Sequence, residues 1–474
     1  MTTFSKYILV LGLLLGSACS KVGEQKPFSA IDPAQIFSDP ARVEKAALGM
    51  YNALQNAEFF GGRILIYADQ RGNDVNVASF FGNVGSFNMI SADAIALNAW
   101  TGGYRTIYEA NLFMKKLQQN EAVVGTPQAT QYYGEAKFIR ALCYFYLVSL
   151  YAQPYNFQGD AGHPGVPLIL DAAEDGAQAL SAANRVKRNT VKEVYDQMIK
   201  DLTEASAALT PNWNNAYFNR ARATKAAADG LLSRVYLNKG DWTNANASAD
   251  AVIASPLAFK LATEPIDNFT FATMNATVER IFSVAMNSAD NPNTNNAIGQ
   301  HYSPLGRGDI SVNTTGYFGI PNFAATDKRR NAAMIRTSGA STYTGKYYLN
   351  PREQWVPVLR LAEIKLNKAE AMARLDPLVS AGALTQLMDI RTIRGASVIV
   401  PPVTQAELIT LILNERRIEL AFEGFGMMDF LRTGRAIPAR PQHLAQAAGT
   451  DYVIFPIPLL ETQSNTQLAQ NKGY

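Results

Sequence analysis

The sequence contains few of the residues that build covalent or metal-bound scaffolds. It has only two cysteines and three histidines among 474 residues, which excludes a disulfide-based fold and a zinc site made of several clustered Cys or His ligands. Excess charge of one sign is also absent, because 43 lysines and arginines oppose 40 aspartates and glutamates with no long run of either. Nucleic-acid binding through a basic patch therefore has no support, and no pattern indicates a cofactor or a metal.

Long hydrophobic runs are missing too, and one short run lies at the start of the chain. A bilayer-spanning helix takes roughly 20 apolar residues, whereas the apolar run after Lys6 covers only residues 7–15. It predicts a signal peptide over residues 1–18. The small residues before Cys19 resemble the lipobox of bacterial lipoproteins, so we expect Cys19 to be lipidated; an ordinary secretory signal is the alternative.

The residues after the predicted signal peptide lack a hydrophobic period. Residues 19–40 are polar with scattered prolines, which is typical of a tether between a membrane and a folded body. The body is then divided into an N-terminal helical region at 41–255, a loop-rich insertion at 256–350 and a C-terminal region at 351–474 that completes the scaffold.

Helical periodicity dominates the body. An apolar stripe at three- and four-residue spacing begins at Val43, and residues 141–151 are apolar on every side, which predicts a buried helix. Residues 222–257 place large residues, a glycine and then small residues at the spacing of a tetratricopeptide helix pair. Similar pairs are predicted for 134–151 with 190–209 and for 357–375 with 381–394. The sequence thus predicts an all-α fold: a tetratricopeptide-like helix-pair scaffold with an irregular insertion.

Polar planar side chains and aromatic rings supply the candidate ligand contacts. Residues 67–74 cluster amide, carboxylate and guanidinium groups around a glycine, and the insertion is rich in tyrosine and phenylalanine. Such groups suit a sugar, but a capped turn and core packing are the open alternatives. The candidate ligand-binding residues are Asp69, Arg71, Asn73, Asp74, Phe80, Phe81, Trp100, Tyr302, Tyr317 and Tyr343.

Paired carboxylates raise the question of catalysis. Glu415, Glu419 and Glu423 fall four residues apart on one helical face with arginines beside them. Glycoside hydrolysis uses two carboxylates, but a salt-bridged helix face explains the spacing without a cleft or a raised pKa. The same holds for Asp69 and Asp74, so we predict no catalytic residues and a protein that is not an enzyme.

Several longer strings along the chain combine charged and apolar residues in a specific order. They are Trp100-x3-Tyr104-x2-Ile107-x3-Asn111, Gly134-Glu135-Ala136-Lys137-Phe138-Ile139-Arg140-Ala141, Asp327-Lys328-Arg329, Leu359-Arg360-Leu361-Ala362-Glu363, Asn414-Glu415-Arg416-Arg417-Ile418-Glu419-Leu420-Ala421-Phe422-Glu423-Gly424, Phe455-Pro456-Ile457-Pro458 and Gln470-Asn471-Lys472-Gly473-Tyr474. In this order they resemble the SusD/RagB family of outer-membrane nutrient-binding lipoproteins of Bacteroidetes. One departure is Gly426-Met427, where the family commonly has arginine and an aromatic residue.

The resemblance implies a lipid-anchored protein of the outer membrane, facing the cell surface, that captures oligosaccharide and delivers it to a SusC-like TonB-dependent transporter. Two alternatives stay open: a RagB-like lipoprotein that captures peptide, and a scaffold that binds only its partner protein. The near-neutral charge balance favours a neutral oligosaccharide, bound on a shallow surface formed by residues 69–81 and the aromatics between Tyr302 and Tyr347. Residues 455–458 and Tyr474 should dock back on the scaffold.

Overall fold

The computed structural model describes residues 33–181, 185–270, 277–293, 295–349 and 351–474. The predicted signal peptide and Cys19 lie outside these residues. Just over half of the chain is helical and the strands are few and short, which confirms the predicted all-α fold.

The helices are α1 (Pro33–Ile36), α2 (Pro40–Leu54), α3 (Arg63–Gln70), α4 (Ala94–Gln119), α5 (Glu121–Val124), α6 (Thr126–Tyr151), α7 (Gly176–Leu180), α8 (Val191–Ala208), α9 (Phe218–Ala221), α10 (Lys225–Lys239), α11 (Trp242–Ile253), α12 (Ile298–Tyr302), α13 (Thr314–Phe318), α14 (Leu361–Leu375), α15 (Ala381–Ile393), α16 (Gln405–Leu420), α17 (Gly426–Arg432) and α18 (Leu459–Ser464). The strands are β1 (Arg280–Val284), β2 (Ile335–Ser338), β3 (Ser341–Thr344) and β4 (Val356–Arg360).

Helix α6 forms the centre of the N-terminal core. It packs against α4 and α8, and all of its residues from 141 to 148 are buried, as their apolar character on every side predicts. Cys143 is one of them, and burial raises the pKa of its thiol well above the usual value. Along the described part of the chain, no helix is both long and apolar enough to cross a bilayer.

The helix pair α10–α11 has the predicted tetratricopeptide-like geometry because its ends are capped locally. The Thr224 side chain accepts a hydrogen bond from the amide of Ala227 at the start of α10. Gly240 ends α10 with φ +79°, a left-handed conformation that favours glycine. The Asp241 side chain then caps α11 by accepting from the amide of Asn244. Turn and caps together reverse the chain between the two helices.

The other predicted pairs also form, with one correction. Helix α6 packs against α8, and α14 packs against α15. Residues 357–360, however, belong to strand β4, which pairs antiparallel with β1 from Val284 opposite Val356 to Arg280 opposite Arg360. Both strands are buried along their whole length. A short apolar run of this length fits either a strand or the start of a buried helix.

Helical structure begins inside the segment predicted as a tether. Helix α1 lies within residues 19–40, and the ring of Phe37 packs against Phe113 of α4 with centroids 5.9 Å apart. Helix α2 follows directly, with Asp39 as its N-cap and Pro40 at its first turn. The folded body therefore includes residues from Pro33 onward.

The insertion at 256–350 is irregular, as predicted, but its aromatic residues mostly face the interior. A short antiparallel hairpin joins β2 to β3, with Ile335 opposite Thr344. Tyr302, Tyr317 and Tyr347 are each at most 1% exposed. They stack on one another and on Phe422 at centroid distances of 4.9 to 6.3 Å, so these rings hold the insertion on the helices.

The C-terminal residues dock on the scaffold as predicted. The amide of Phe455 donates to the carbonyl of Leu150 at 2.7 Å, and the Asn471 side-chain amide donates to the carbonyls of Tyr151 and Phe455. The Tyr474 hydroxyl donates to the carbonyl of Ile454 at 2.6 Å. Hydrogen bonds thus fasten a chain terminus that would otherwise fray.

A buried ionic network joins the insertion to the C-terminal helices. Its central group is Glu419 of α16, whose carboxylate accepts from Arg360 at 2.5 Å, from Arg394 at 2.9 Å and from Arg329 at 3.0 Å. None of the members is more than 4% exposed. We call this set the ionic network, and it consists of Arg329, Lys346, Arg360, Arg391, Arg394, Glu279, Asp327, Glu415, Glu419 and Glu423.

The four-residue spacing predicts salt bridges of Glu415, Glu419 and Glu423 with the arginines beside them on the helix. In the structure these carboxylates pair instead with the cations of the ionic network. Burial raises the pKa of Glu419, but the guanidinium groups of Arg394, Arg360 and Arg329 outweigh this effect and hold the pKa well below its usual range. The same holds for Glu423. Burial raises its pKa, but Arg360 and Lys346 outweigh this effect, so the pKa lies below its usual value. Both groups are ionised acceptors with no proton to give, which argues against a role as catalytic acid.

Removing one member of this network should destabilise the protein strongly. Glu419→Gln leaves three buried guanidinium groups short of a negative charge, and breaking a buried ion pair costs about 3–5 kcal/mol. We expect a loss of this size in the free energy of unfolding, measured by urea denaturation.

The matched control is Lys192→Ala, which breaks an exposed pair with Asp196 whose side chains are about half exposed. Exposed pairs contribute about 0.3–0.5 kcal/mol on a helix. Equal effects of the two substitutions would show that the network is not a major source of stability.

Candidate functional site

Burial separates the predicted ligand-binding residues into two groups. Phe80 is 36% exposed, whereas each of the other nine is at most 9% exposed. The predicted shallow surface is therefore not formed by these side chains, because their polar groups and rings contact other parts of the protein. The buried residues are Asp69, Arg71, Asn73, Asp74, Phe81, Trp100, Tyr302, Tyr317 and Tyr343.

Asp69 and Tyr302 do come together, although they lie far apart in sequence. The Tyr302 hydroxyl donates to Asp69 Oδ2 at 2.7 Å, and the amide of Gly424 donates to Oδ1 at 3.0 Å. Burial raises the pKa of Asp69 to about 8, although both hydrogen bonds lower it. Asp69 lies on α3 and not in a loop, so the pair connects α3 to the insertion inside the core.

Residues Arg71, Asn73 and Asp74 are also engaged internally. The Arg71 guanidinium donates to the carbonyl of Tyr452 at 3.0 Å and lies 4.6 Å from the centroid of the Phe455 ring. Asn73 accepts from the side chain of Asn313. Asp74 accepts from Arg417 Nε at 2.8 Å. The polar cluster at 67–74 therefore connects α3 and the residues after it to the C-terminal region and to the insertion. These contacts match a structural role for the cluster better than contact with a ligand.

The remaining buried aromatics pack within the core. Trp100 lies against Tyr104 and Tyr151 with centroid distances of 4.8 and 5.0 Å. The hydroxyl of Tyr317 donates to the carbonyl of Ile418, and that of Tyr343 lies 3.4 Å from the carbonyl of Gly308. A large buried ring contributes apolar contact area wherever it lies, so aromatic content alone did not distinguish core from site.

Phe80 presents the one exposed ring among the predicted residues. It follows α3 in a short 3-10 turn, Ser79–Phe81. Its ring packs edgewise on Phe81, which is buried, and lies 5.0 Å from the ring of His301. The guanidinium carbon of Arg307 lies 4.2 Å from the Phe80 centroid, within the range of a cation–π contact.

A cleft of about 410 Å³ opens next to Arg307. This volume lies in the range of about 300–1,000 Å³ typical of small-molecule sites. Its walls come from the middle of the insertion and from the residues before β4, and they offer amide, guanidinium and carboxylate groups. They are formed by Asn295, Gln300, Leu305, Gly306, Arg307, Pro351, Arg352 and Glu353. We call Phe80 together with these residues the Phe80 cleft.

Hydrogen bonds beneath the Phe80 cleft hold its polar groups in place. His301 Nδ1 lies 2.8 Å from Asp309 Oδ2, and Nε2 lies 3.0 Å from the carbonyl oxygen of Asn295. Arg307 pairs with Asp309 at 2.7 Å and donates to Asn295 Oδ1 at 3.1 Å. Arg63 of α3 also donates to the Asn295 carbonyl at 2.8 Å. The loop is thereby fixed from two sides before any ligand binds.

Charge at this cleft is largely compensated. Arg307 is paired with Asp309, and Arg63 is paired with Glu58. Arg352 and Glu353 are adjacent on the opposite wall. An exposed ring with fixed amide and guanidinium donors and little net charge suits a neutral, hydroxyl-rich ligand. The sequence prediction included Phe80 and, within residues 295–307, Tyr302, but it named none of the residues that line this cleft. The only signal near them was an asparagine-rich run without a helical or strand period.

The raised pKa of Asp69 has a consequence for stability. The folded protein keeps this carboxyl protonated up to about pH 8, whereas the unfolded chain releases the proton above its ordinary value of 3.8. Because the unfolded state then binds fewer protons, the free energy of unfolding should fall as pH rises from about 4 to about 8. Asp69→Asn should remove this part of the slope, measured by urea unfolding across that range.

Asparagine retains an oxygen for the Gly424 amide and can donate to the Tyr302 hydroxyl, so it preserves the local contacts. Asp196→Asn, at an exposed position, serves as the control and should leave the slope unchanged. The same slope in wild type and in Asp69→Asn would contradict the expected linkage.

Two family models match nearly the whole chain. The first, described as starch-binding and associating with outer membrane, covers residues 29–237. The second, described as the SusD family, covers residues 268–474. Between them they leave only the first 28 residues and residues 238–267 unmatched.

Individual relatives agree over the full length. The chain is 27% identical to SusD-like protein P2 of Formosa agariphila over 99% of both chains. A SusD superfamily protein from Bacteroides fragilis has 29% identity and a TM-score of 0.78, covering 91% of this chain and 99% of that one. A SusD-like carbohydrate binding protein from Bacteroides vulgatus has the same fold at 22% identity, with a TM-score of 0.75 over 91% of this chain and 97% of that one. With its helix pairs, its insertion and its docked C-terminus, the chain belongs to the SusD/RagB family.

Proposed function

We propose that this protein binds a neutral oligosaccharide at the Phe80 cleft and that it is not an enzyme. The observation that carries the proposal is the partly exposed Phe80 ring in contact with Arg307, which lines a cleft of fixed polar groups. Sugars offer an apolar ring face to an aromatic side chain and hydroxyl groups to amides, guanidinium groups and carboxylates. The names of the relatives support the same ligand class, since one is called a carbohydrate binding protein and one family model is described as starch-binding.

The non-enzymatic part of the proposal rests on the acidic residues. Glu419 and Glu423 are held ionised by arginines in the ionic network. Asp69 has a raised pKa but lies in the core, where its oxygens accept from Tyr302 and Gly424. None of these groups lines the Phe80 cleft, and Glu353 is the single carboxylate among the residues that do. Hydrolysis of a glycosidic bond takes two carboxylates, and the lining residues offer only one.

Phe80→Ala should weaken glycan binding. The cleft is open to solvent and orders a flexible ligand, so we expect affinity for a neutral glycan to be micromolar or weaker, near −8 kcal/mol. Loss of the exposed ring should lower affinity about tenfold, which corresponds to about 1.4 kcal/mol. Calorimetry with a panel of neutral oligosaccharides measures this.

The matched control is Phe157→Ala, which removes a phenylalanine that is 45% exposed and whose ring packs on His163, which is not a residue of the Phe80 cleft. It should leave affinity unchanged. Equal binding to wild type and to both variants would show that the site lies elsewhere, and binding of peptides without any glycan would favour the RagB-like alternative.

We also propose delivery to a SusC-like TonB-dependent transporter from a lipid anchor at Cys19. The family description that associates these proteins with the outer membrane supports this location. The body would then be held at the cell surface by acyl chains attached at the start of the mature chain. Three acyl chains hold a protein durably, since each buried methylene contributes about 0.8 kcal/mol.

Cys19→Ser tests the anchor. The variant should leave the membrane fraction and appear as soluble protein, because nothing replaces the lost acyl chains. Fractionation followed by immunoblotting measures the shift, with Cys143→Ser as the control that keeps Cys19. Membrane association of the Cys19→Ser variant equal to that of wild type would contradict lipid anchoring.

A further inference from the structure

A second, larger groove lies between α2 and α4. Its volume is about 1140 Å³, and it shares no lining residue with the Phe80 cleft. The proposed glycan binding does not use it. Its charge and the shape of its floor indicate what kind of partner it would accept.

The floor of the groove is mainly aliphatic. Met50 and Ala53 of α2, Leu112 and Phe113 of α4, and Phe37 are among the residues that line it. Phe37 and Phe113 pack against each other at 5.9 Å, so each already has a partner for its ring. Aliphatic side chains with mutually packed rings fit the apolar side chains of a peptide better than a sugar, which needs an open aromatic face.

Helix α2 presents a residue without a side chain to the groove. Gly49 lies there in the middle of the helix, and a Cβ at this position would meet no atom within 4 Å. Glycine inside a helix costs stability relative to alanine, and packing within the protein does not require it here. A missing side chain leaves room for another backbone to approach closely.

The rim of the groove is basic. Arg42, Lys45, Arg105 and Lys116 line it, against Glu109 and Asp290. Arg42 and Lys116 pair with Asp39 and Glu174, and Asp290 accepts from Gln55 at 3.2 Å. Lys45 and Arg105 are exposed and make no ion pair with any residue that the structure describes. These two cations are available to carboxylates of a partner.

We infer that this groove docks an acidic amphipathic segment of a partner protein, with apolar side chains on the floor and carboxylates toward Lys45 and Arg105. Charge complementarity selects this occupant. The chain's own residues 20–32 fit less well, since they contain two lysines against one glutamate and one aspartate and so carry no net negative charge.

The test selects peptides that bind the full-length protein and removes those that also bind a variant whose groove is filled. Random dodecapeptides displayed on phage are selected on wild type and depleted on Gly49→Trp. Because a Cβ at position 49 meets no atom within 4 Å and replacing a glycine inside a helix removes its cost to stability, this variant should melt at or above the temperature of wild type. We expect the recovered peptides to combine aspartate or glutamate with leucine, isoleucine or valine.

Binding of a recovered peptide is then measured by fluorescence anisotropy. Lys45→Glu with Arg105→Glu should weaken it about tenfold or more, a loss typical of an interface anchor, and added salt should weaken binding to wild type. Phe80→Ala should leave peptide binding unchanged, and Gly49→Trp should leave glycan binding unchanged. The two sites can therefore fail independently.

Four outcomes would overturn the inference. The first two are failure to enrich any peptide and enrichment of peptides without acidic residues. The third is a synthetic peptide of residues 20–32 that binds more tightly than the recovered peptides. The fourth is binding of phosphatidylglycerol vesicles at the groove in place of peptide. A marked loss of melting temperature in Gly49→Trp would also count against it, because Gly49 would then serve packing within the protein.

Discussion

Buried charge is the constraint on which the rest of this structure depends. An ionised carboxylate or guanidinium group away from water must be paired, since desolvation otherwise outweighs any gain from packing. Five cations and five carboxylates meet this condition together in the ionic network. Its members come from β4, from α15 and α16, and from five places outside these elements, so each of these parts has one acceptable position relative to the others. The five places carry Glu279, Asp327 with Arg329, Lys346, Arg394 and Glu423.

The network also reaches the Phe80 cleft through a short series of contacts. Lys346 donates to the main-chain carbonyls of Glu419 and Ala421, and the Tyr347 hydroxyl donates to that of Phe422. The next glycine, Gly424, donates to Asp69, which in turn accepts from Tyr302. Tyr302 ends α12, the helix that also carries His301 under the cleft. The segment that lines the Phe80 cleft is thereby connected to the ionic network.

Residues of the same type are buried in the core at one position and exposed near the cleft at another. Tyr302 and Phe80 are both aromatic residues in or near irregular segments, yet the first is 1% exposed and the second 36%. Arg71 and Arg307 both lie against phenylalanine rings, but only Arg307 lines a cleft. Which ring or guanidinium group faces solvent follows from how the insertion folds over α3, and that depends on contacts more than 200 residues apart in sequence.

The sequence by itself determined what local signals can carry. Apolar periodicity, side-chain caps and Gly240 specify the helix pairs, because each signal acts within a few residues. The long strings that identify the family are equally local, and several of them supply the charges of the ionic network. Only the tertiary structure decided that Glu415, Glu419 and Glu423 point inward to distant arginines and that the polar cluster near Asp69 is structural. It also decided that Phe80 is partly exposed and lies against Arg307, since solvent exposure is a property of the packed chain and not of any short stretch of it.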